Sequence, residues 1–175
     1  RRALSNLSTK VATFYLHGNR DFLVGADFLR RTGMTLLPDP SEIEIAGTRY
    51  LLSHGDALCT ADVAYQLFRT WVRKPWVQKL FLRLPLQWRQ SIAKQLRNNS
   101  HMQDESAART LSTEYQIKTN VTPDACASLL RNHSGMRLIH GHTHRPGLYQ
   151  EAYNDTSWKR WVLSDWDLDH PETVL

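Results

Sequence analysis

The strongest chemical signal in the chain is a pair of histidines separated by one residue. They lie in the motif Gly141-His142-Thr143-His144, directly after a short apolar run. Two imidazoles at this spacing in a tight loop can each reach one ion of a dinuclear centre, and neutral imidazole binds manganese, iron and zinc. A surface loop that happens to hold two histidines is the alternative, and an isolated His-x-His pair would favour it.

Two further polar motifs also follow apolar runs, namely Gly18-Asn19-Arg20-Asp21 and Ser53-His54-Gly55-Asp56. The side-chain oxygen of Asn19 is a neutral, hard ligand suited to Mn²⁺, and Arg20 offers a fork of donors to a phosphate. Taken alone, the first motif is equally typical of a turn. Taken alone, His54 is equally typical of a structural histidine at the end of a strand.

The elements that must position these motifs alternate between strands and helices. We predict strands over residues 11–16, 43–45, 49–53, 136–139 and 159–164, with a hairpin turn at 46–48. We predict helices over residues 22–31, 64–72, from Pro75 to about 84, in a short segment around 88–96, and over 122–132. Thr122 is expected to cap the last helix with its hydroxyl, and residues 101–120 are ambiguous. This order predicts an α/β layered fold with a site at the strand ends.

In this order the motifs resemble the later part of the calcineurin-like metallophosphoesterase pattern. That family carries D-x-H, then G-D, G-N-[HR]-D, an isolated His and G-H-x-H, and the present chain supplies only the last three. The chain also lacks an initiator Met. We therefore expect it to begin partway through a family member, with two Asp and one His ligand upstream of Arg1. The implied fold is an incomplete layered α/β/β/α metallophosphoesterase fold with a helical lid insertion.

Longer segments resemble one branch of this family, the UDP-2,3-diacylglucosamine diphosphatases. They are His17-Gly-Asn-Arg-Asp-Phe-Leu23, Ser53-His-Gly-Asp-Ala-Leu-Cys-Thr60, Lys74-Pro-Trp76 and His140-Gly-His-Thr-His-Arg-Pro146. The resemblance implies a hydrolase that cleaves the pyrophosphate bond of a lipid-linked sugar nucleotide, to give UMP and 2,3-diacylglucosamine 1-phosphate for lipid A synthesis. It also implies domains over residues 1–62 (core), 63–120 (basic helical lid) and 121–175 (core). Without its upstream ligands the fragment is expected to be inactive.

The resemblance assigns roles to individual residues. Asn19, His54 and His142 would bind one Mn²⁺, and His144 would bind the second. Substrate binding would involve Asn19, Arg20, Asp62, Ser100 and His142, of which Arg20 and His142 would also be catalytic. Asp62 could instead cap a helix, and Ser100 could be an ordinary loop residue. The family's Lys that binds substrate after Ser100 has no direct counterpart here, and Arg109 is the candidate to replace it.

The net charge of +5 is unevenly distributed. From Val63 to Gln103 there are eight Lys or Arg and no Asp or Glu, so the rest of the chain carries a net charge of −3. Such a block indicates an anionic partner. With Trp71, Trp76 and Trp88 interleaved, the block fits a peripheral lid on an anionic membrane surface. The resemblance, through lipid A synthesis, implies that this surface is the cytoplasmic face of a bacterial inner membrane. A plain helical cap that packs its Trp and Leu side chains on the core is the alternative.

Composition excludes other classes of protein. No apolar run approaches the roughly 20 residues that a transmembrane helix needs, and two cysteines are too few for a disulfide scaffold.

A different dinuclear phosphoesterase, or a module that binds single-stranded nucleic acid, remains as a competing function. The favoured interpretation expects no nucleic-acid partner and leaves protein partners unknown.

Overall fold

The computed structural model describes residues 2–110, 113–133, 137–154 and 156–164, with side chains for all of these except 99–110, 113–115 and 156. Its helices are α1 (Arg2–Ser8), α2 (Ala26–Thr32), α3 (Val63–Val72), α4 (Pro75–Arg83), α5 (Leu86–Thr110), α6 (Thr113–Lys118) and α7 (Pro123–Arg131). Its strands are β1 (Phe14–Leu16), β2 (Thr35–Leu37), β3 (Ser41–Ile45), β4 (Thr48–Ser53), β5 (Arg137–His140), β6 (Gly147–Tyr153) and β7 (Thr156–Val162). The fold is therefore mixed α/β, as predicted.

The larger sheet has five strands in the order β3-β4-β5-β7-β6. β4, β5 and β7 are parallel, whereas the outer strands β3 and β6 run antiparallel to their neighbours. The smaller sheet pairs β1 with β2 in parallel. Because β4 and β5 are adjacent and parallel, the loops that follow them emerge at the same edge.

The predicted hairpin is present, because β3 and β4 pair antiparallel around Ala46 and Gly47. Both residues have positive φ, 50° and 74°. This is the conformation of a two-residue turn whose twist matches that of the flanking strands.

Several predicted boundaries are wrong. α2 begins at Ala26 rather than at residue 22, and Gly33 ends it in the left-handed conformation. The short segment predicted around 88–96 is part of the 25-residue helix α5. α1, β2 and β6 were not predicted.

The start of α7 was predicted correctly, but the role of the Thr122 hydroxyl, just before the helix, was not. Pro123 occupies the first turn of the helix, and Asp124 follows it. The Thr122 hydroxyl makes no cap and instead donates to the carbonyl of Leu58 at 3.3 Å, while the Thr122 amide donates to the same oxygen at 2.9 Å. A tertiary contact has therefore displaced the local cap.

The core lies between α7 and the strands β6 and β7. α7 contributes Cys126, Ala127 and Leu130, all at most 2% exposed. The sheet contributes Leu51, Leu138, Trp158 and Val162. Both cysteines, Cys59 and Cys126, are buried, and neither forms a disulfide.

The chain divides into two compact units, one of Arg1–Leu58 with Val121–Leu175 and the other of Cys59–Asn120. In the second unit α3 and α4 pack together, with the rings of Trp71 and Trp76 edge to face at 6.0 Å and Lys74 Nζ 4.1 Å from the centre of the Trp71 ring. Neither α3 nor α4 contains a buried residue. Within the described parts of the chain, no helix has the length and hydropathy needed to span a bilayer.

Candidate active site

Three loops that carry predicted ligands meet at the ends of β1, β4 and β5. The Gly141 amide donates to the carbonyl of His54 at 3.1 Å, which joins the loops after β4 and β5. The loop after β1 lies against the same histidine, because a Cβ on Gly18 would be 3.1 Å from His54 Cε1. The structure therefore brings the three motifs together.

Gly55 permits the closest of these approaches. Its φ is +107°, and a Cβ there would lie 2.8 Å from His140 Nδ1 and 3.0 Å from the Gly141 carbonyl oxygen. The first contact is shorter than a Cβ atom tolerates and the second is tighter than most Cβ contacts. The backbone conformation itself also disfavours other residues. A glycine is therefore required where the loop after β4 passes the start of the histidine loop.

His54 and His142 are in direct contact. Their rings are edge to face, with centroids 5.1 Å apart. Burial lowers the pKa of His142 to about 4, assisted by His54 and opposed by the carboxylate of Asp56. His142 is consequently neutral at pH 7, the form in which an imidazole nitrogen can bind a metal.

The histidine loop has an unusual backbone. His142 and His144 both have positive φ, 71° and 53°, a conformation that costs a non-glycine residue about 1 kcal/mol or more. The Thr143 amide donates to the Gly141 carbonyl at 2.9 Å, and Thr143 is buried while His144 is exposed. Surrounding contacts must therefore hold this conformation in place.

The loop that carries Asn19 and Arg20 is closed by Asp21. One carboxylate oxygen accepts the Gly18 amide and the other accepts the Tyr15 hydroxyl, both at 2.5 Å. Burial and this carboxylate raise the pKa of Tyr15, so the phenol remains a donor. Arg20 is exposed and Asn19 is partly buried, which leaves the guanidinium accessible to an anion.

The remaining predicted residues lie in the other unit. The Asp62 carboxylate accepts the Tyr65 amide at 3.0 Å and so caps α3, which is the alternative role that the sequence allowed. The backbone of Ser100 belongs to α5, and its side chain, like that of Arg109, lies outside the described residues. The substrate contacts expected of Asp62 and Ser100 stay predictions.

The donor set fits a divalent transition-metal ion in its chemistry. Two imidazoles in contact, a third on the same loop and an amide oxygen suit Mn²⁺ or Zn²⁺. Among the described residues, however, no group of three or more His, Cys, Asp or Glu is close enough to hold an ion. By themselves, these residues would therefore supply only part of the ligands that a metal ion needs.

In the sequence, the position of His140 beside the histidine motif indicates a residue that could orient the ligands, but the buried polar cluster to which His140 belongs was missed. It consists of His140, Glu151 and Arg160, on β5, β6 and β7, and His140 and Arg160 are 1% and 3% exposed. A charged residue at an inward-facing position of a strand, between Trp158 and Val162, is the signal that could have revealed it.

A cavity of about 330 Å³ lies elsewhere on the sheet. Its lining is Arg49, Arg137, Gln150, Ser157, Trp158 and Lys159. None of these belongs to the three loops, so the convergence of chemical groups, and not cavity volume, identifies the candidate site.

No family model matches the chain. Three curated relatives that do match it share one name. The curated UDP-2,3-diacylglucosamine hydrolase of Ralstonia nicotianae is 47% identical over 176 residues, covering 97% of the chain and 62% of the relative. That of Aeromonas hydrophila is 46% identical over 89% of the chain and 62% of the relative, and that of Coxiella burnetii is 43% identical over 99% of the chain and 68% of the relative.

The chain thus spans about three fifths of the length of the first two relatives. The matches to the Ralstonia and Coxiella proteins cover 97% and 99% of the chain, so the matched region includes the three loops and both units. The chain belongs to the family of UDP-2,3-diacylglucosamine hydrolases.

Proposed function

We propose that the protein containing this chain hydrolyses the pyrophosphate bond of UDP-2,3-diacylglucosamine and releases UMP and 2,3-diacylglucosamine 1-phosphate for lipid A synthesis. The observation that carries the proposal is the contact of His54 with the neutral His142 at the ends of β4 and β5. The relatives' names supply the substrate. The layering that we propose for the complete fold is the α/β/β/α arrangement of metallophosphoesterases.

We further propose that two Mn²⁺ ions are the cofactors. Asn19, His54 and His142 would hold one ion and His144 the other. When bound, such a pair of cations lowers the pKa of water and withdraws charge from phosphoryl oxygens. The ligands that complete the set, which by the resemblance are two Asp and one His, are expected outside residues 1–175, so these residues alone are expected to be inactive.

The chain's own residues bind and orient the phosphates. The exposed Arg20 guanidinium can form paired hydrogen bonds to non-bridging oxygens and stabilise the charge that builds up on them. Asn19 lies on the same loop as Arg20, and His142 lies on a loop that converges with it. Both side chains would orient the same group. In the balanced reaction, the water oxygen ends on the α-phosphorus of UMP, and the sugar phosphate leaves with the bridging oxygen.

The helices of residues 63–120 are proposed as a lid that meets the lipid part of the substrate and an anionic membrane surface. Trp71, Trp76, Leu80 and Trp88 are between 54% and 64% exposed, which favours contact with lipid over packing in a core. The neighbouring Lys and Arg side chains would bind anionic headgroups. We place the protein peripherally at the cytoplasmic face of the inner membrane, with Asp62 and Ser100 contacting substrate and no nucleic-acid partner.

The decisive experiment measures Mn²⁺-dependent release of UMP from UDP-2,3-diacylglucosamine by the complete protein. His142→Ala should abolish release. His133→Ala is the matched control, because His133 follows α7, pairs with Glu42 of β3 at 3.1 Å and belongs to none of the three loops. This variant should leave release unchanged. A folded, Mn²⁺-loaded protein that releases no UMP would contradict the proposal, and so would turnover that does not depend on the metal.

A further inference from the structure

We propose that Arg160, held by Glu151, is a positioning residue that fixes both ends of the histidine loop, residues 141–145, through His140 and Tyr149. The inference rests on the proposed function only in taking this loop to bind metal ions. None of these four residues belongs to the predicted set of ligands or substrate contacts.

The first step is the pairing of Arg160. A buried guanidinium is costly unless its charge and donors are satisfied. Its Nε donates to Glu151 Oε2 at 2.9 Å and its Nη2 donates to Glu151 Oε1, so the pair is bidentate. Trp158 Nε1 donates to the same carboxylate at 3.2 Å. Glu151 therefore sets the orientation of the guanidinium. The paired hydrogen bonds offset the free-energy cost of burying the charge and hold the two groups in one geometry.

The second step is the tautomer of His140. Its Nδ1 lies 2.7 Å from the carbonyl oxygen of Gly141, and its Nε2 lies 3.1 Å from Arg160 Nη1. A carbonyl oxygen only accepts and a guanidinium only donates. Nδ1 must therefore carry the hydrogen and Nε2 the lone pair. Arg160 thus selects the one tautomer that can donate to Gly141.

The third step is the effect on the start of the loop. The Gly141 carbonyl accepts from both His140 Nδ1 and the Thr143 amide, and the Gly141 amide donates to His54. Three hydrogen bonds therefore fix the peptide groups on either side of Gly141. Together they maintain the positive φ of His142, which would otherwise relax to a commoner conformation.

The fourth step concerns the other end of the loop. The Arg160 guanidinium carbon lies 4.4 Å from the centre of the Tyr149 ring, a cation–π contact. The Tyr149 hydroxyl donates to the carbonyl of Arg145 at 3.1 Å. One buried cation thus contacts the two side chains that hold Gly141 and Arg145, the residues on either side of His142 and His144.

The experiment uses the complete protein and two readouts that do not depend on turnover. Long-range ¹⁵N–¹H spectra of selectively labelled histidine report the tautomer of His140, and titration with Mn²⁺ reports the dissociation constant. In the unmodified protein we expect the Nδ1–H tautomer. Arg160→Gln should lose this single tautomer and bind Mn²⁺ about tenfold more weakly, in the range seen when groups that orient metal ligands are removed.

The control and the conservative variant separate positioning from general stability. Arg30→Gln removes an exposed arginine paired with Asp27 and should change neither readout. Arg160→Lys keeps the charge without the fork and should recover part of the affinity. If Arg160→Gln does not fold, Tyr149→Phe tests the inference instead. It removes only the hydroxyl that bonds to Arg145 and should still weaken Mn²⁺ binding severalfold.

Two results would overturn the inference. One is an Nε2–H tautomer of His140 in the unmodified protein. The other is unchanged Mn²⁺ affinity in a folded Arg160→Gln protein or, where that variant does not fold, in Tyr149→Phe. Absence of UMP release with the tautomer and the affinities as expected would instead contradict the proposed function.

Discussion

The imidazole rings of His54 and His142 lie edge to face, with centroids 5.1 Å apart, although they follow different strands. The hydrogen bond from the Gly141 amide to the His54 carbonyl holds the two loops together beneath them. β4 and β5 are adjacent and parallel, so the loops that follow them leave the sheet at the same edge and bring the two rings together.

Removing either ring should lower the affinity for metal more than it lowers the stability of the fold. His54→Ala and His142→Ala are each expected to weaken Mn²⁺ binding by more than tenfold, since each deletes a proposed ligand. Isothermal titration of the complete protein checks this, with His133→Ala as the control. Equal affinities in all three variants would show that the paired rings do not bind the ion.

The metal-free protein should lose stability as the pH falls from about 6.5 to about 4. Burial, together with the nearby Arg160 cation, lowers the pKa of His140 to about 4, whereas the unfolded chain binds the proton near pH 6.5. In this window the unfolded state holds more protons than the folded state, so the free energy of unfolding decreases with acidification. The contribution of His140 is about 3 kcal/mol when the window has been crossed.

Urea denaturation at several pH values, with a chelator present, measures this slope. His142 should add to it, because its pKa is also lowered to about 4 by burial. His140→Gln should reduce the slope, whatever it does to the stability at pH 7. A free energy of unfolding that is flat from pH 6.5 to 4 would contradict the prediction.

Gly55→Ala should disturb the site as well as the fold. The added methyl group would meet His140 Nδ1 and the Gly141 carbonyl, and φ is +107°. Gly47→Ala is the matched control, because Gly47 has φ +74° and nothing within 4 Å of an added Cβ. The control should lose about 1 kcal/mol from backbone strain alone, while Gly55→Ala should lose more and also bind Mn²⁺ more weakly. Thermal unfolding and metal titration distinguish the two.

The exposed apolar side chains of α3 and α4 should bind membranes. Trp71→Ala, Leu80→Ala and Lys79→Glu are each expected to weaken partitioning onto vesicles with anionic lipid, by about fivefold or more for the charge reversal. Added salt should weaken partitioning further. Leu148→Ala removes an equally exposed leucine from β6, in the other unit, and should have no effect. The same partitioning in every variant would exclude these helices as the membrane contact.

Turnover of a water-soluble substrate analogue should be insensitive to the same substitutions. Trp71→Ala and Leu80→Ala lie outside the three loops, so their effect should be confined to lipid-bearing substrate. A loss of turnover with both kinds of substrate would instead indicate that these residues support catalysis or folding.

Local signals in the sequence predicted much of the fold. Ala46 and Gly47 specify the hairpin turn, and Pro75 and Pro123 start α4 and α7 because proline fits the first turn of a helix. The strands before the three polar loops could also be found, because each apolar run ends abruptly. Among the described strands, β6 pairs with β7 alone, at the outer position of the sheet. It was not predicted because its residues alternate in polarity and form no strong apolar run.

The sequence by itself determined which side chains are available for chemistry and that they follow strand ends, because motif spacing and turn-forming residues are local properties. Only the tertiary structure decided that Thr122 bonds to Leu58 rather than capping α7, and that Arg160 reaches His140 and Tyr149. Those contacts depend on the order of strands in the sheet and on which groups are buried together. A buried cation must find its partners across neighbouring strands, and no local pattern records which strands those are.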